Sequence, residues 1–301
     1  MAAVSAPEYP YGAPPVTPPV GSTRRRWLIV VVAAWVLVLA GLAVWSIRHD
    51  PPTVPEQRDI ARALPGLQRA AGVMLAAAQG PGRAVVLGEL HLARGCRITP
   101  VRDGVEGTRA VTVYVQADQA RRVLDAIAAG LPDGYRTRVA QSGNGSRVEL
   151  QADAGGYVAV DADTLADAQV FRLEASTGCR PVSDTEPESA DPPAGSPPAV
   201  LATALKALGT PATPAPATPA PATPAPATRT IICPAGGNAS TYTVGNLAAP
   251  ADLGGALQAV FGGATVVRAD PRGWAYRIGD DSVVVLEDGG RLQASVTTAC
   301  H

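Results

Sequence analysis

The clearest pattern along the chain is one unbroken apolar run. Residues 27–47 read WLIVVVAAWVLVLAGLAVWSI, 21 positions without a charge. As a helix this run would extend about 31 Å, matching a hydrocarbon core of ~30 Å. Trp27 and Trp45 stand near its two ends, where indole N–H groups reach the headgroup layer. Arg24, Arg25 and Arg26 precede the run, whereas Arg48, His49 and Asp50 follow it with little net charge. The positive-inside rule then puts residues 1–26 in the cytosol and everything beyond residue 47 outside. A cleaved signal peptide is the alternative, with Gly41-Leu42-Ala43 as a small-residue cleavage site. The apolar run is longer than a typical signal core of about 7–15 residues and continues past that point, which favours an uncleaved single-pass anchor.

Before the anchor, the chain to residue 26 is rich in Pro, Ala, Gly and Val and predicts a disordered tail. Its Pro15-x-x-Pro18 spacing fits polyproline II but is too short to specify a partner. After the anchor, Pro51, Pro52 and Pro55 end the helix. Ile60, Leu64, Leu67, Ala71, Met74, Leu75 and Ala78 then recur at spacings of three and four, the mark of one helix face. Pro65 and Gly66 interrupt that face, so a kink or two short helices are expected. Residues 48–83 are thus a juxtamembrane helical segment.

From Ala84 the period falls to two. Val85, Leu87, Leu90 and Leu92 lead as a strand toward Cys96, and Val111, Val113 and Val115 alternate with Thr112 and Tyr114. Ala120, Val123, Leu124, Ile127 and Ala128 form a helical stripe ending at Gly130. Strands are expected at 135–140, 147–151, 157–160 and 170–176, with Asn144-Gly145 as a hairpin turn. Residues 84–181 form a first module. Residues 182–229 read as a Pro-rich linker, with a short apolar helix at 200–208 and a Pro-Ala-Thr repeat from Pro211 to Thr228. Residues 230–301 form a second module. Its strands are expected near Cys233 and at 241–244, 265–268, 274–278, 283–286 and 292–297, with a helix at 251–261.

The two modules have the same order of elements. Leu124-Asp125-Ala126-Ile127 before Gly130 matches Leu257-Gln258-Ala259-Val260 before Gly263 at an offset of 133. Leu173-Glu174-Ala175-Ser176 before Cys179 matches Leu292-Gln293-Ala294-Ser295 before Cys300. Each module has one cysteine before its helix and one at its end. Four cysteines allow three pairings. An internal repeat selects Cys96–Cys179 and Cys233–Cys300, each tying the first strand of a module to its last. Such bridges require an oxidising compartment, in agreement with the outward orientation. The expected fold is α+β: one transmembrane helix, then two small disulfide-stapled modules, each one helix on a mostly antiparallel sheet.

Composition adds limits. Aromatic residues make up 4% of the chain, so the cores must be aliphatic. The net charge of −1 offers no basic excess for nucleic acid. Lys206 is the one lysine, and with abundant Ala, Gly, Pro and Val this points to a high-GC bacterium.

Candidate chemistry is sparse. The histidines are His49, His91 and His301, too few and too scattered for a zinc site of three or four ligands. No Gly-x-Ser-x-Gly elbow is present. Asp161, Asp163 and Asp167 resemble part of a calcium loop but lack its glycine and terminal Glu, and read better as a solvated turn and helix cap. Asn144-Gly145-Ser146 and Asn238-Ala239-Ser240 match an acceptor pattern for sugars that carries little meaning in a bacterium. Gly262-Gly263 and Gly289-Gly290 read as a helix cap and a hairpin turn. No catalytic, cofactor or metal site is expected. The functional expectation is a non-catalytic, membrane-anchored binding or interaction protein, whose partners are the bilayer and a protein or envelope component outside. The alternative is a transmembrane sensor or regulator whose tail contacts a cytosolic signalling partner.

Overall fold

The computed structural model describes residues 22–49, 58–182, 191–209 and 226–300. Helix α1 spans Ser22–His49 and lies in a unit separate from residues 54–301. Its stretch Arg26–Trp45 is long and apolar enough to cross a membrane, and none of it is buried in the protein. The helix starts before the arginines, so Arg24–Arg26 are helical and not part of the expected tail. Residues 1–21, with the Pro15–Pro18 spacing, lie outside the described residues.

Helix α2 (Ile60–Ala78) is continuous through Pro65. The expected split into two short helices does not form. The side chain of Asp59 accepts from the Arg62 N–H at 2.9 Å and caps the first turn. Ile60, Leu64, Leu67, Ala71, Met74 and Leu75 are buried along the other turns. Packing of that face outweighs the one helical bond lost at the proline.

The first sheet contains β1 (Arg83–Thr99), β2 (Arg102–Val115), β3 (Arg138–Gln141), β4 (Arg147–Asp153), β5 (Ala159–Leu165) and β6 (Val170–Arg180). Its order is β1-β2-β6-β5-β4-β3, antiparallel throughout. Helix α3 (Ala120–Gly130) connects β2 to β3. Asn144-Gly145 does turn β3 into β4, with Gly145 at φ +74°. Alternation is cleanest in β4, where Val148, Leu150 and Ala152 are buried and Arg147, Glu149 and Gln151 exposed. β1 and β2 form a hairpin much longer than the two strand cores expected from valine alternation.

The second sheet contains β7 (Ala227–Ile232), β8 (Asn238–Ala248), β9 (Thr265–Asp270), β10 (Gly273–Ile278), β11 (Asp281–Asp288) and β12 (Arg291–Thr297). Its order is β7-β8-β12-β11-β10-β9, also antiparallel, so first, second, sixth, fifth, fourth and third strands follow one another in both sheets. Helix α5 (Leu253–Phe261) connects β8 to β9, as α3 connects β2 to β3. The Asp252 carboxylate caps it by accepting from the Gly255 N–H at 2.8 Å. Its C-terminal Gly262 keeps a right-handed φ of −58°, so no left-handed cap forms there. Gly289 and Gly290 both have positive φ in the turn from β11 to β12.

Two features depart from the expected layout. Residues 191–209, assigned to the linker, are packed on the fold. Helix α4 (Ala199–Ala207) buries Leu201, Ala204 and Leu205 beside α5. The Tyr242 hydroxyl donates to the Gly195 carbonyl at 2.9 Å. Each sheet therefore carries two helices, α2 and α3 on the first and α4 and α5 on the second, instead of one. The Pro-Ala-Thr stretch 210–225 lies outside the described residues.

The sheets are also not independent, because they belong to one compact unit. Ala84 and Tyr114 of the first sheet pack on Val267, Ala275 and Val284 of the second. Ile231 and Ala239 join the core beneath α2. At the bulge between Leu87 and Leu90, the Leu87 N–H turns from β2 and donates to Thr241 Oγ1 at 3.0 Å. Thr241 in turn meets Thr297 at 2.7 Å, and Thr243 meets Ser295 at 3.0 Å, a row of hydroxyls between the layers. Gln79, the residue after α2, accepts from the Cys300 N–H at 2.9 Å and donates to the Thr298 carbonyl at 3.0 Å. Cys96 is bonded to Cys179, and Cys233 to Cys300.

Candidate binding cleft

One face of α2 and the end of β7 enclose a cleft of about 570 Å³. Pro65, Gln68, Arg69 and Val73 follow the spacing i, i+3, i+4 and i+8, which places them on one side of the helix. Ile231, Ile232, Cys233 and Pro234 form the opposite wall, and Pro192 closes an end. The walls meet at Gly72. A Cβ at that position would overlap the carbonyl oxygen of Ile232, so only glycine lets the helix lie this close to the strand. Ile231 is buried, while Ile232 is 60% exposed at the rim.

Beside the cleft, a charged network joins four segments. Arg109 of β2 is fully buried. Its Nη1 donates to Gln68 Oε1 and to Asp191 Oδ1, both at 2.7 Å. Its Nη2 donates to Asp191 Oδ2 at 2.9 Å and to the Thr230 carbonyl at 3.2 Å. Asp191 Oδ2 also accepts from the Thr230 N–H at 2.8 Å. A buried guanidinium is tolerable only with such a partner set. Gln68 thus belongs to both the cleft and the network, and Asp191 anchors the segment leading to α4. Arg69 is exposed at the rim and makes no ion pair among the described residues. An apolar trough with one amide and one free cation can bury apolar groups and orient them by a polar end. Among the described residues lining it there is no nucleophile–base pair.

A second cleft, about 720 Å³, lies where the turns at 81–82, 263–265 and 278–280 meet. Arg277 lines it and donates to Asp280 at 3.0 Å. Arg277 stands opposite Ser282 in the β10–β11 register, and Arg277 Nη1 and Ser282 Oγ are both buried without a partner among the described residues. Burial, with the nearby Arg277 charge second, lowers the pKa of Arg83.

The three aspartates considered for calcium do not converge. Asp161 and Asp163 lie on β5, not in a turn, and only Asp167 is in one. Asp163 pairs with Arg147. Asp161 stands directly opposite Glu174 in the β5–β6 register. Burial, and then the Glu174 charge, raises its pKa. Among the described residues no group of three His, Cys, Asp or Glu side chains could hold a metal ion. His91 is exposed on β1.

The disulfides sit at matching places: Cys96 near the end of β1 and Cys179 in β6, Cys233 just after β7 and Cys300 just after β12. On α1, Arg26, Trp27 and Trp45 are exposed.

Sequence reasoning did not single out Gln68, Gly72, Arg109 or Asp191. Arg109 did leave a signal. It shares the parity of Val111, Val113 and Val115, so a charge falls on the apolar face of a strand. Such a residue calls for a buried counter-ion.

No family profile matches the chain, and no curated protein matches it. Among solved structures, the chain is similar to a DUF4853 family protein from Actinomyces odontolyticus, at 18% identity and a TM-score of 0.34. That likeness covers 47% of this chain and 80% of the other, and at this level it carries no argument.

Proposed function

We propose that this protein is a single-pass, membrane-anchored binding protein whose disulfide-bonded part lies outside the cytosol. The observation that carries the reading is the apolar stretch Arg26–Trp45, none of it buried, in a chain whose other unit holds two disulfides. An apolar helix of that length with no protein cover needs a bilayer, and the disulfides need an oxidising compartment. The arginines at 24–26 support a cytosolic N-terminus.

In this reading, α2-β1-β2-α3-β3-β4-β5-β6 and α4-β7-β8-α5-β9-β10-β11-β12 are two copies of one ancestral unit. Identical strand order, equivalent crossover helices and equivalent bridges support the duplication. The cleft between α2 and β7 is the surface for an apolar segment of an outer partner, and residues 210–225 span from the second unit's first helix to its first strand.

Lys206 allows a direct test of placement, because it is the one lysine and is exposed on α4. A membrane-impermeant amine reagent is expected to label Lys206 in intact cells and the N-terminal amine only after lysis. Labelling in the reverse order, or release of the full-length chain from membranes at alkaline pH, would overturn the reading.

A further inference from the structure

We infer that the cleft at Arg277, where the two sheets meet, binds the phosphate group of a small soluble ligand. The site lies wholly within residues 54–301, so it stands or falls apart from the proposed anchoring.

One polar row crosses the whole second sheet. Cross-strand pairing sets Arg229, Thr241, Thr297, Ser282, Arg277 and Thr265 side by side on one face, one from each strand. β1 of the first sheet runs along this row. The Leu87 N–H donates to Thr241 Oγ1 at 3.0 Å, and Glu89 pairs with Arg229 at 2.8 Å. Four strand spacings separate Arg229 from Arg277, about 19 Å, and the six residues from Glu89 back to Arg83 span about 20 Å. The two ends of the row thus meet β1 in the same way but with opposite charges. At the Arg229 end β1 brings a carboxylate. At the Arg277 end it brings a second guanidinium, Arg83, whose pKa burial and then the Arg277 charge lower.

This end has donors in surplus. Arg83 Nη1 donates to the Ala77 carbonyl at 3.2 Å, and Arg83 forms no ion pair among the described residues. Arg277 Nη2 donates to Asp280 at 3.0 Å, while its Nη1 and Ser282 Oγ are buried with no partner among the described residues. Asp280 is the 66% exposed carboxylate of the turn, and the adjoining Asp281 is partly buried with a partner of its own. His301, which carries the terminal carboxylate, follows Cys300 and lies outside the described residues. The surplus is therefore one of hydrogen-bond donors and not of net charge, since Asp280 takes only one prong of Arg277.

Guanidinium forks match the oxygens of a phosphate. The Thr265 hydroxyl lines the same cleft, so an oxyanion there can accept from both sheets at once. Bringing Arg277 Nη1 to it takes a side-chain rotation at the cleft wall, which also ends the cost of its unpaired burial. The volume of about 720 Å³ exceeds what the anion alone needs and falls in the range of small-molecule pockets. Val260, Phe261 and Ile278 give an apolar side for the body of a phosphate ester.

The test is isothermal titration of the full chain, in maltoside micelles at constant ionic strength, with inorganic phosphate and with phenyl phosphate. Both are expected to bind. Tighter binding of phenyl phosphate identifies an ester as the ligand, and equal affinity identifies free phosphate. Arg83→Gln and Arg277→Gln are each expected to weaken binding about tenfold or more, the loss of a hydrogen bond to a charged group. Arg229→Gln makes the same charge change at the other end of the row and is expected to leave affinity unchanged. Peptide mapping of both disulfides and urea midpoints check that each variant folds, and Arg83→Gln decides if Arg277→Gln does not. Failure of both ligands to bind, unchanged affinity in Arg83→Gln, or equal weakening in Arg229→Gln overturns the inference.

Discussion

Arg109 and Asp191 meet as a two-pronged ion pair, Nη1 to Oδ1 at 2.7 Å and Nη2 to Oδ2 at 2.9 Å. The arginine is fully buried, and the aspartate side chain is 21% exposed. The pair holds the segment leading to α4 against both sheets. Asp191→Ala leaves a buried cation without its counter-charge. It is expected to lower unfolding free energy by about 3 kcal/mol, the lower part of the range for broken buried pairs. Urea unfolding measures the loss, and limited proteolysis should cut faster between residues 191 and 209.

Gly72→Ala tests the closest approach in the cleft. The added methyl must push α2 from the Ile232 carbonyl, at a cost of about 1–3 kcal/mol for overpacking. Ordinary helix propensity predicts the opposite, a gain of up to about 1 kcal/mol for Gly to Ala. The sign of the change in Tm therefore decides whether the contact or the propensity dominates, and the contact is expected to win.

Removing the second bridge with Cys233→Ser and Cys300→Ser should cost roughly 4 kcal/mol, given a closure of 67 residues. Because the sheets share a core, the loss is expected to appear in one cooperative transition. Two separated transitions in calorimetry would mean that the halves unfold independently.

Asp161→Asn removes a like-charge contact with Glu174. A gain of a few tenths of a kcal/mol is expected at neutral pH. The raised folded-state pKa of Asp161 gives the sign. As pH falls, the folded protein takes up this proton before the unfolded chain does. The wild type therefore recovers stability through that window, and the advantage of the variant disappears below the ordinary Asp range. Stability curves of both proteins between neutral and acidic pH check this.

The elements legible in the sequence are those whose burial repeats with a simple period. The stripe of α3 and the alternation of β4 needed only local pattern, and the turn at Asn144-Gly145 needed only φ freedom. Residues 191–198 were not legible, since prolines and small polar residues read as linker whether solvated or docked. What docks them is Arg109, distant in sequence. Contact between the sheets was hidden for a related reason. It runs through Ala84, Ala275 and Val284, residues that suit any strand. The cleft joins 65–73 to 231–234, and no local spacing brings those stretches together.

The bulge at Gly88-Glu89 has a consequence for assembly. β1 is an edge strand, and open edges invite pairing with other chains. Here the outward Leu87 N–H is taken by Thr241, and Glu89 is held by Arg229 of β7 at 2.8 Å. An incoming strand would find that stretch of β1 occupied by the molecule's own second sheet. The fold thereby guards this stretch of the edge against self-association.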